Sequence, residues 1–458
     1  MKARRFFRSR WMVGALVAAL AGLLAACGGG GSSSGDTSGD TASASSGTLE
    51  IWLGGDLTQA TPGSPFEQWV KEQSGRFEKE NPGWKVQTTL LPFDNSQNAA
   101  KLQAAFGSHD VPDVMNLYAG QFTNTYADAL ANLTENVSSE EGLFESIPEN
   151  VWSLSCAEYD CEGGSGEIFG VPWNSGAYFL FYNKSLLAKA GIHAPPRTYD
   201  ELFSDCEKLS AKGVLPVSMG ASDGYDTSNM FTTNLVSTLE EGDLQNLVAG
   251  ELPYDDPKVI SALEPILELT EASSKCTTPD ALGMEQLKGT AAFSAGEAAM
   301  TPYFGLQLAT FQEELGKDLG IARLPLSGQG PLLKVNNGYA GNPFDNWVVP
   351  ADAPNAEMAW KFIMIASDAV ANESSQELMG LSPAIESVGK GLTDQAQRFA
   401  WTQSGDPAIP ELDQVMPGNI ANYLYKQLAL GQLGKQSAAK TMENIQEFAE
   451  SPVNQEVP

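Results

Sequence analysis

The sequence predicts an α/β protein of more than one lobe. Strand-like runs alternate with helical ones along most of its length, a rhythm that builds parallel sheets flanked by helices. At 458 residues the chain exceeds the roughly 250–300 at which a single core stops growing, so two lobes are the default. A hydrophobic content of 42%, with nine Trp, twelve Tyr and twenty Phe, is enough to fill both cores.

Thr48 to Leu53 reads as the first strand and ends in Gly54-Gly55-Asp56. From Phe66 to Glu80, the residues Phe66, Trp69, Val70 and Phe77 recur on one side of a helix, which Asn81-Pro82-Gly83 stops. Lys85 to Leu91 is a second strand, Asn98 to Gly107 a helix, and a third strand runs through Leu117. The alternation resumes after Gly170: a strand over Ala177–Tyr182, a helix over Lys184–Gly191, and Pro195-Pro196 ahead of a helix over Tyr199–Lys212. Val214–Met219 and Ala298–Tyr303 are further strands. Pro257–Thr270, Ala353–Ser367, Gly418–Leu430 and Ala438–Phe448 are further helices. There is no internal repeat.

The N-terminus carries Lys2, Arg4, Arg5, Arg8 and Arg10, then the apolar stretch Trp11 to Leu24, then Ala25-Ala26-Cys27. At about 14 residues this stretch is short of the roughly 20 that span a membrane. A basic region, an apolar region and small residues before a cysteine resemble the bacterial lipoprotein signal, which implies a signal peptide over 1–26 and a lipidated Cys27. Arg4-Arg5 leaves the export route open between the general and twin-arginine systems. Residues 27–47 are almost wholly Gly, Ser, Thr, Ala and Asp, a composition that gives a flexible tether. The expected mature protein is anchored to the outer face of the cell membrane and not embedded in it.

Formal net charge is −30, and removing the five basic leader residues takes it to about −35. No cluster of Lys and Arg remains for nucleic acid. Beyond Cys27, the cysteines Cys156, Cys161, Cys206 and Cys276 allow three pairings in an oxidising compartment. The favoured set closes a short acidic loop with Cys156–Cys161 and leaves Cys206–Cys276. Cys156-x4-Cys161 with no histidine nearby is a poor zinc pattern, so neither metal nor cofactor is expected.

Five segments in order resemble the extracellular solute-binding proteins of bacterial ABC importers, in particular the sugar-binding branch similar to maltose-binding protein. They are Phe77-Glu78-Lys79-Glu80-Asn81-Pro82-Gly83; Gly107-Ser108-His109-Asp110-Val111-Pro112-Asp113-Val114; the run from Phe169 to Lys212 with Gly170-Val171-Pro172-Trp173 and Phe181-Tyr182-Asn183-Lys184; Phe293-Ser294-Ala295-Gly296-Glu297-Ala298-Ala299-Met300; and Gly380-Leu381-Ser382-Pro383-Ala384. The resemblance implies a type II periplasmic-binding-protein-like fold: two lobes, each a mixed β-sheet flanked by helices, joined by a multi-crossing hinge. It places lobe 1 at 48–171 plus 303–354 and lobe 2 at 172–302 plus 355–458. It also implies a carbohydrate ligand, an ABC permease with its ATPase as partners, and a monomer.

Ligands of open α/β sheets bind beyond the carboxyl ends of strands, and sugars want carboxylates, amides and aromatic faces there. By that rule and the resemblance, the candidates are Asp56 after the first strand, Tyr118 at the end of the third, and Trp173 with Asn174 at the crossing between lobes. Asp223 with Tyr225 follows a strand where relatives carry an acid and a stacking tyrosine. Tyr303 with Phe304, Gly338 with Tyr339, and Asn419 with Tyr423 are weaker candidates. The maltose-type carboxylate after the crossing is replaced by Gly176, so the same sugar contacts do not carry over.

An enzyme is the main rival class. The only histidines, His109 and His193, accompany neither a Gly-x-Ser-x-Gly elbow nor metal-ligand spacing. Carboxylate pairs for glycoside hydrolysis are available by count, but acid-rich clefts also bind sugars without cleaving them. A second rival keeps the fold and binds a polyamine, peptide or other non-sugar solute. A third is an adhesion or structural lipoprotein that delivers no cargo.

Overall fold

The computed structural model describes residues 46–54, 64–91, 95–159, 161, 166–271, 273–328, 330, 344–405 and 409–451. The lipoprotein leader and tether, Asp56, Gly338 and Tyr339 lie outside the described residues.

Five strands form the first sheet: β1 (Gly47–Gly54), β2 (Trp84–Leu90), β3 (Val114–Tyr118), β4 (Val171–Pro172) and, returning late in the chain, a strand at Asp345–Val348. Their order across the sheet is β2-β1-β3, then Asp345–Val348, then β4. β1 is parallel to β2 and β3, while the returning strand is antiparallel to both its neighbours, with Asp345 opposite Tyr118. β5 (Asn174–Ser175) follows β4 across the hinge. The second sheet contains β6 (Tyr178–Asn183), β7 (Leu215–Val217), β8 (Ala298–Phe304) and β9 (Leu319–Ala322), so the returning strand is β10. Strand order there is β7-β8-β6-β9. A two-stranded ribbon pairs β5 with β11 (Ser382–Pro383), Ser175 opposite Ser382.

Two segments fall on the other side from the expected division. β9, placed by sequence with lobe 1, pairs with β6 of the second sheet. Helices at Ala356–Ser367 and Ala369–Met379, placed with lobe 2, pack on α1 (Pro65–Glu80) beside the first sheet. For the helices the physical reason is packing on α1, where Phe77 meets Phe362 edge-on at 5.9 Å and polar contacts add to it. Trp69 on α1 buries its ring and donates its indole N–H to the carbonyl of Ala371 (3.0 Å), and Arg76 binds Asp368 and the carbonyl of Ile365.

Local chemistry explains the main elements. Ser64 caps α1 by accepting from the N–H of Glu67 (3.2 Å), Pro65 occupies the first turn, and the buried stripe is Phe66, Trp69, Val70, Gln73 and Phe77. Asp113 of the Pro-Asp turn is buried and accepts from the backbone of Glu50 (2.8 Å) and of Asn355 (2.9 Å). That motif is therefore a staple between the first sheet and the returning chain. In the second lobe, α2 (Asn95–Ser108) and α3 (Gln121–Thr125) of the first lobe are matched by α4 (Tyr199–Ser210), α5 (Tyr225–Leu235) and α6 (Pro257–Glu268). Residues 226 to 235 of α5 are all buried, and Asn234 ties it to α6 through the carbonyl of Ala262 (2.7 Å).

Both expected disulfides form. Cys206–Cys276 joins α4 to the segment beside β7, across a sequence separation of 70. A cross-link over such a loop stabilises by about 4 kcal/mol through the unfolded chain. The Cys206→Ser/Cys276→Ser variant is expected to unfold at clearly lower denaturant concentration. An unchanged midpoint would show that the bridge constrains nothing.

Candidate functional site

Phe344 joins the end of β3 in the first sheet to the end of β8 in the second. Its N–H donates to Asn174 Oδ1 (3.0 Å), its carbonyl accepts from the N–H of Ala119 (2.9 Å), and its ring meets Phe304 edge-on at 5.2 Å. Gly176 is required there because a Cβ would collide with the Phe344 ring. This gives Gly176 a packing reason of its own.

On the first-sheet side, β3 ends at Tyr118, which is buried and donates its hydroxyl to Asp413 Oδ2 (3.0 Å) and, at 3.4 Å, to Glu411 Oε2. Asp413 lies on the short helix Leu412–Val415. Tyr425, on the helix Gly418–Gln432, donates to the same Asp413 oxygen. Tyr225 opens α5 with its ring 4.4 Å from that of Tyr425, and it is only half-buried. Gly224, at φ 80°, lets the chain turn against the backbone of Tyr425, where a Cβ would not fit. Asp223 completes the turn, accepting from the N–H of Gln286 (2.8 Å) and of Tyr225 (3.3 Å). Tyr118, Asp413, Tyr425 and Tyr225 thus form a connected group running from the first sheet to the second lobe.

Behind this group, Asp226 is fully buried. It accepts from the N–H of Gly220 (3.0 Å) and from the hydroxyl of Tyr178, which also takes a bond from Gln286 Nε2 (3.3 Å). Burial pushes Asp226 up from 3.8 to about 8, a shift the Tyr178 hydroxyl opposes and the Asp223 charge reinforces. Burial also raises Asp413, against the Tyr425 and Tyr118 hydroxyls, and raises Asp223, against the Gln286 and Tyr225 amides. Tyr178 and Tyr425 are held well above 10, first by burial and then by Asp226 and Asp413 respectively. The donors on Asp223 and Asp413 are backbone amides and tyrosine hydroxyls, all of them neutral.

A carboxyl that keeps its proton in the fold binds one that the unfolded chain releases above its ordinary pKa. Its stabilisation is full below about pH 4 and is lost as pH rises through about 8. The Asp226→Asn variant is therefore expected to show a flatter fall of melting temperature between pH 4 and pH 8 than the parent. Parallel curves would contradict a protonated Asp226.

Of the residues expected from sequence, Tyr118, Asp223 and Tyr225 come together. Trp173 does not belong with them: it is fully buried, 4.2 Å from Trp69 and 6.1 Å from Trp347 in a stack of indoles. Asn174 is buried beside it as the Phe344 anchor. Tyr303 and Phe304 are buried around Tyr178, Phe304 edge-on at 4.7 Å. Tyr423 stacks on Phe448 at 4.0 Å, on the side of its helix turned to Ala438–Ala449, and Asn419 is exposed with its side chain accepting from the N–H of Ile420 (3.0 Å). Sequence reasoning missed Glu411, Asp413 and Tyr425, because helices and not strand ends deliver them. Both histidines are exposed, His109 against Asp352 (2.7 Å). Among the described residues no group of His, Cys, Asp and Glu is arranged to hold a metal, and no helix is long and apolar enough to cross a membrane.

A family model described as bacterial extracellular solute-binding protein matches residues 58–376. An uncharacterised ABC transporter extracellular-binding protein of Pyrococcus horikoshii is 25% identical over 293 residues, covering 62% of this chain and 62% of the relative. The sn-glycerol-3-phosphate-binding periplasmic protein of Escherichia coli K12 is 23% identical over 297 residues, covering 62% and 65%. The match spans less than two thirds of the length of either relative. A chitin oligosaccharide binding protein has a similar structure, with a TM-score of 0.75 at 20% identity over 88% of this chain and 98% of that one. T. maritima MalE3 with maltose bound gives 0.71 at 19% identity over 88% and 98%. The Streptomyces glaucescens GacH receptor gives 0.71 at 21% identity over 88% and 97%. These likenesses show the fold: two lobes of the type II periplasmic binding protein kind.

Proposed function

We propose, from the premise that the chain belongs to the bacterial extracellular solute-binding protein family, that it is the receptor of an ABC importer. It captures a neutral carbohydrate, a di- or oligosaccharide, between its two lobes and delivers it to a permease and its ATPase. The observation that carries this reading is the group Tyr118, Asp413, Tyr425 and Tyr225, in which aromatic rings from both lobes converge on one hydroxyl-accepting carboxyl. Ligand binding both lobes favours the closed form, and no bond of the ligand is made or broken. The solved relatives that bind maltose and chitin oligosaccharides by name support a sugar. A phosphate ligand like that of the E. coli relative is opposed by buried acidic groups where a phosphate would need cations.

The mature protein works as a monomer at the outer face of the membrane, tethered through a lipidated Cys27, and Asp56 and Tyr339 are further candidate ligand contacts. A polyamine is the second reading, favoured by the same acidic and aromatic groups. The test is a thermal-shift panel of chito-, xylo- and malto-oligosaccharides, sn-glycerol-3-phosphate and spermidine. A ligand at 100 times its Kd stabilises by about 2.7 kcal/mol. A shift with one sugar class is expected. A shift with spermidine or glycerol-3-phosphate alone would replace the sugar, and release of reducing ends would replace transport with catalysis.

A further inference from the structure

The Cys156–Cys161 loop belongs to the first lobe and reaches the C-terminal segment that carries Asp413. Between the two cysteines, whose Cα atoms are 5.7 Å apart, Tyr159 sits at φ 61°, a left-handed conformation that tyrosine seldom adopts. From there its hydroxyl donates to the carbonyl oxygen of Gln414 (3.3 Å), the residue after Asp413. Burial raises this hydroxyl to about 12, so it remains a donor across the working pH range. Gly120, at φ 79° just beyond Tyr118, lies against the same carbonyl so closely that a Cβ would collide with it. Ala119, Leu154 and Val415 form a small apolar cluster on which Tyr159 packs. Two tyrosines from separate parts of the first lobe therefore grip adjacent residues of one short turn: Tyr118 the side chain of Asp413, Tyr159 the backbone of Gln414.

We infer that Tyr159, held by the Cys156–Cys161 loop, is a positioning residue that fixes the Glu411–Gln414 turn and so places the Asp413 carboxyl on Tyr118. Tyr159 does not itself contact the Asp413 carboxyl. The inference deepens the proposed cleft reading, but its test needs no ligand.

Hydrogen exchange followed by mass spectrometry on the intact protein compares the parent with Tyr159→Phe, Cys156→Ser/Cys161→Ser, Asp413→Ala and their combinations. Phenylalanine keeps the ring packing and removes only the hydroxyl. Amides of residues 411–416 and 118–122 are expected to exchange about fivefold faster in Tyr159→Phe, the effect of losing one hydrogen bond, while those of α5 and of the rest of both sheets stay unchanged. The cysteine double variant gives the same local pattern, and adding Tyr159→Phe to it changes nothing more. In the Asp413→Ala background, which removes the acceptor, Tyr159→Phe no longer accelerates 118–122, because the bond from Tyr118 to Asp413 is already cut. Unchanged exchange at 411–416, an acceleration spread over the whole chain, or an undiminished effect at 118–122 in Asp413→Ala would each overturn the inference. If the ligand panel is silent while this local pattern appears, the carbohydrate reading fails and the positioning role stands. A panel that shifts with a uniform exchange pattern gives the reverse.

Discussion

Trp173→Ala is expected to destabilise the fold by about 4 kcal/mol, the range measured for removing a fully buried tryptophan. Its ring stacks on Trp69 at 4.2 Å and sits with Phe66 and Trp347 under α1, where none of the four is exposed. Truncation leaves a cavity that the facing indoles cannot fill, because Trp69 is tied through its N–H to Ala371. Trp173→Phe keeps part of the packing and is expected to lose about half as much. Urea unfolding of the two variants measures this directly. If Trp173→Ala kept full stability and lost only ligand binding, the tryptophan would be a ligand contact after all.

Tyr225→Ala is expected to act in the opposite way, weakening carbohydrate binding by about 30-fold, or about 2 kcal/mol, with little change in melting temperature. Tyr225 is half-buried at the N-terminal end of α5 and contacts Tyr425 at 4.4 Å, so its removal opens the cleft wall without excavating a core. Calorimetric titration with the sugar identified by the thermal-shift panel gives the affinity. Equal affinities for parent and variant would remove Tyr225 from the binding surface.

The contrast between these two residues shows what sequence can carry. Both were legible as aromatics near a crossing or a strand end, and that rule pointed to Tyr118 and Tyr225, whose hydroxyl and ring the structure brings to Asp413 and Tyr425. It also pointed to Trp173, because sequence does not reveal that α1 and β10 deliver two more indoles to the same place. Elements with a clear period were legible to within a few residues: the Phe66, Trp69, Val70, Phe77 stripe of α1 is one face of one helix. α5 was not, since nearly every residue in it is buried and no polar face alternates with an apolar one. Short strands such as Val171–Pro172 and Asp345–Val348 take their identity from neighbours distant in sequence, and β9 joins the second sheet only because β6 offers it an edge. Asp413 and Tyr425 meet Tyr118 across nearly 300 positions of chain, with the hydrogen bond from Tyr118 spanning a separation of 295. Local pattern does not encode that encounter.

Small-angle X-ray scattering of the protein with and without the sugar selected by the panel tests capture between the two lobes. Closure on the ligand predicts a smaller radius of gyration when the sugar is bound and no change with sugars that fail to bind. An unchanged radius in the presence of a sugar that demonstrably binds would contradict capture by closure.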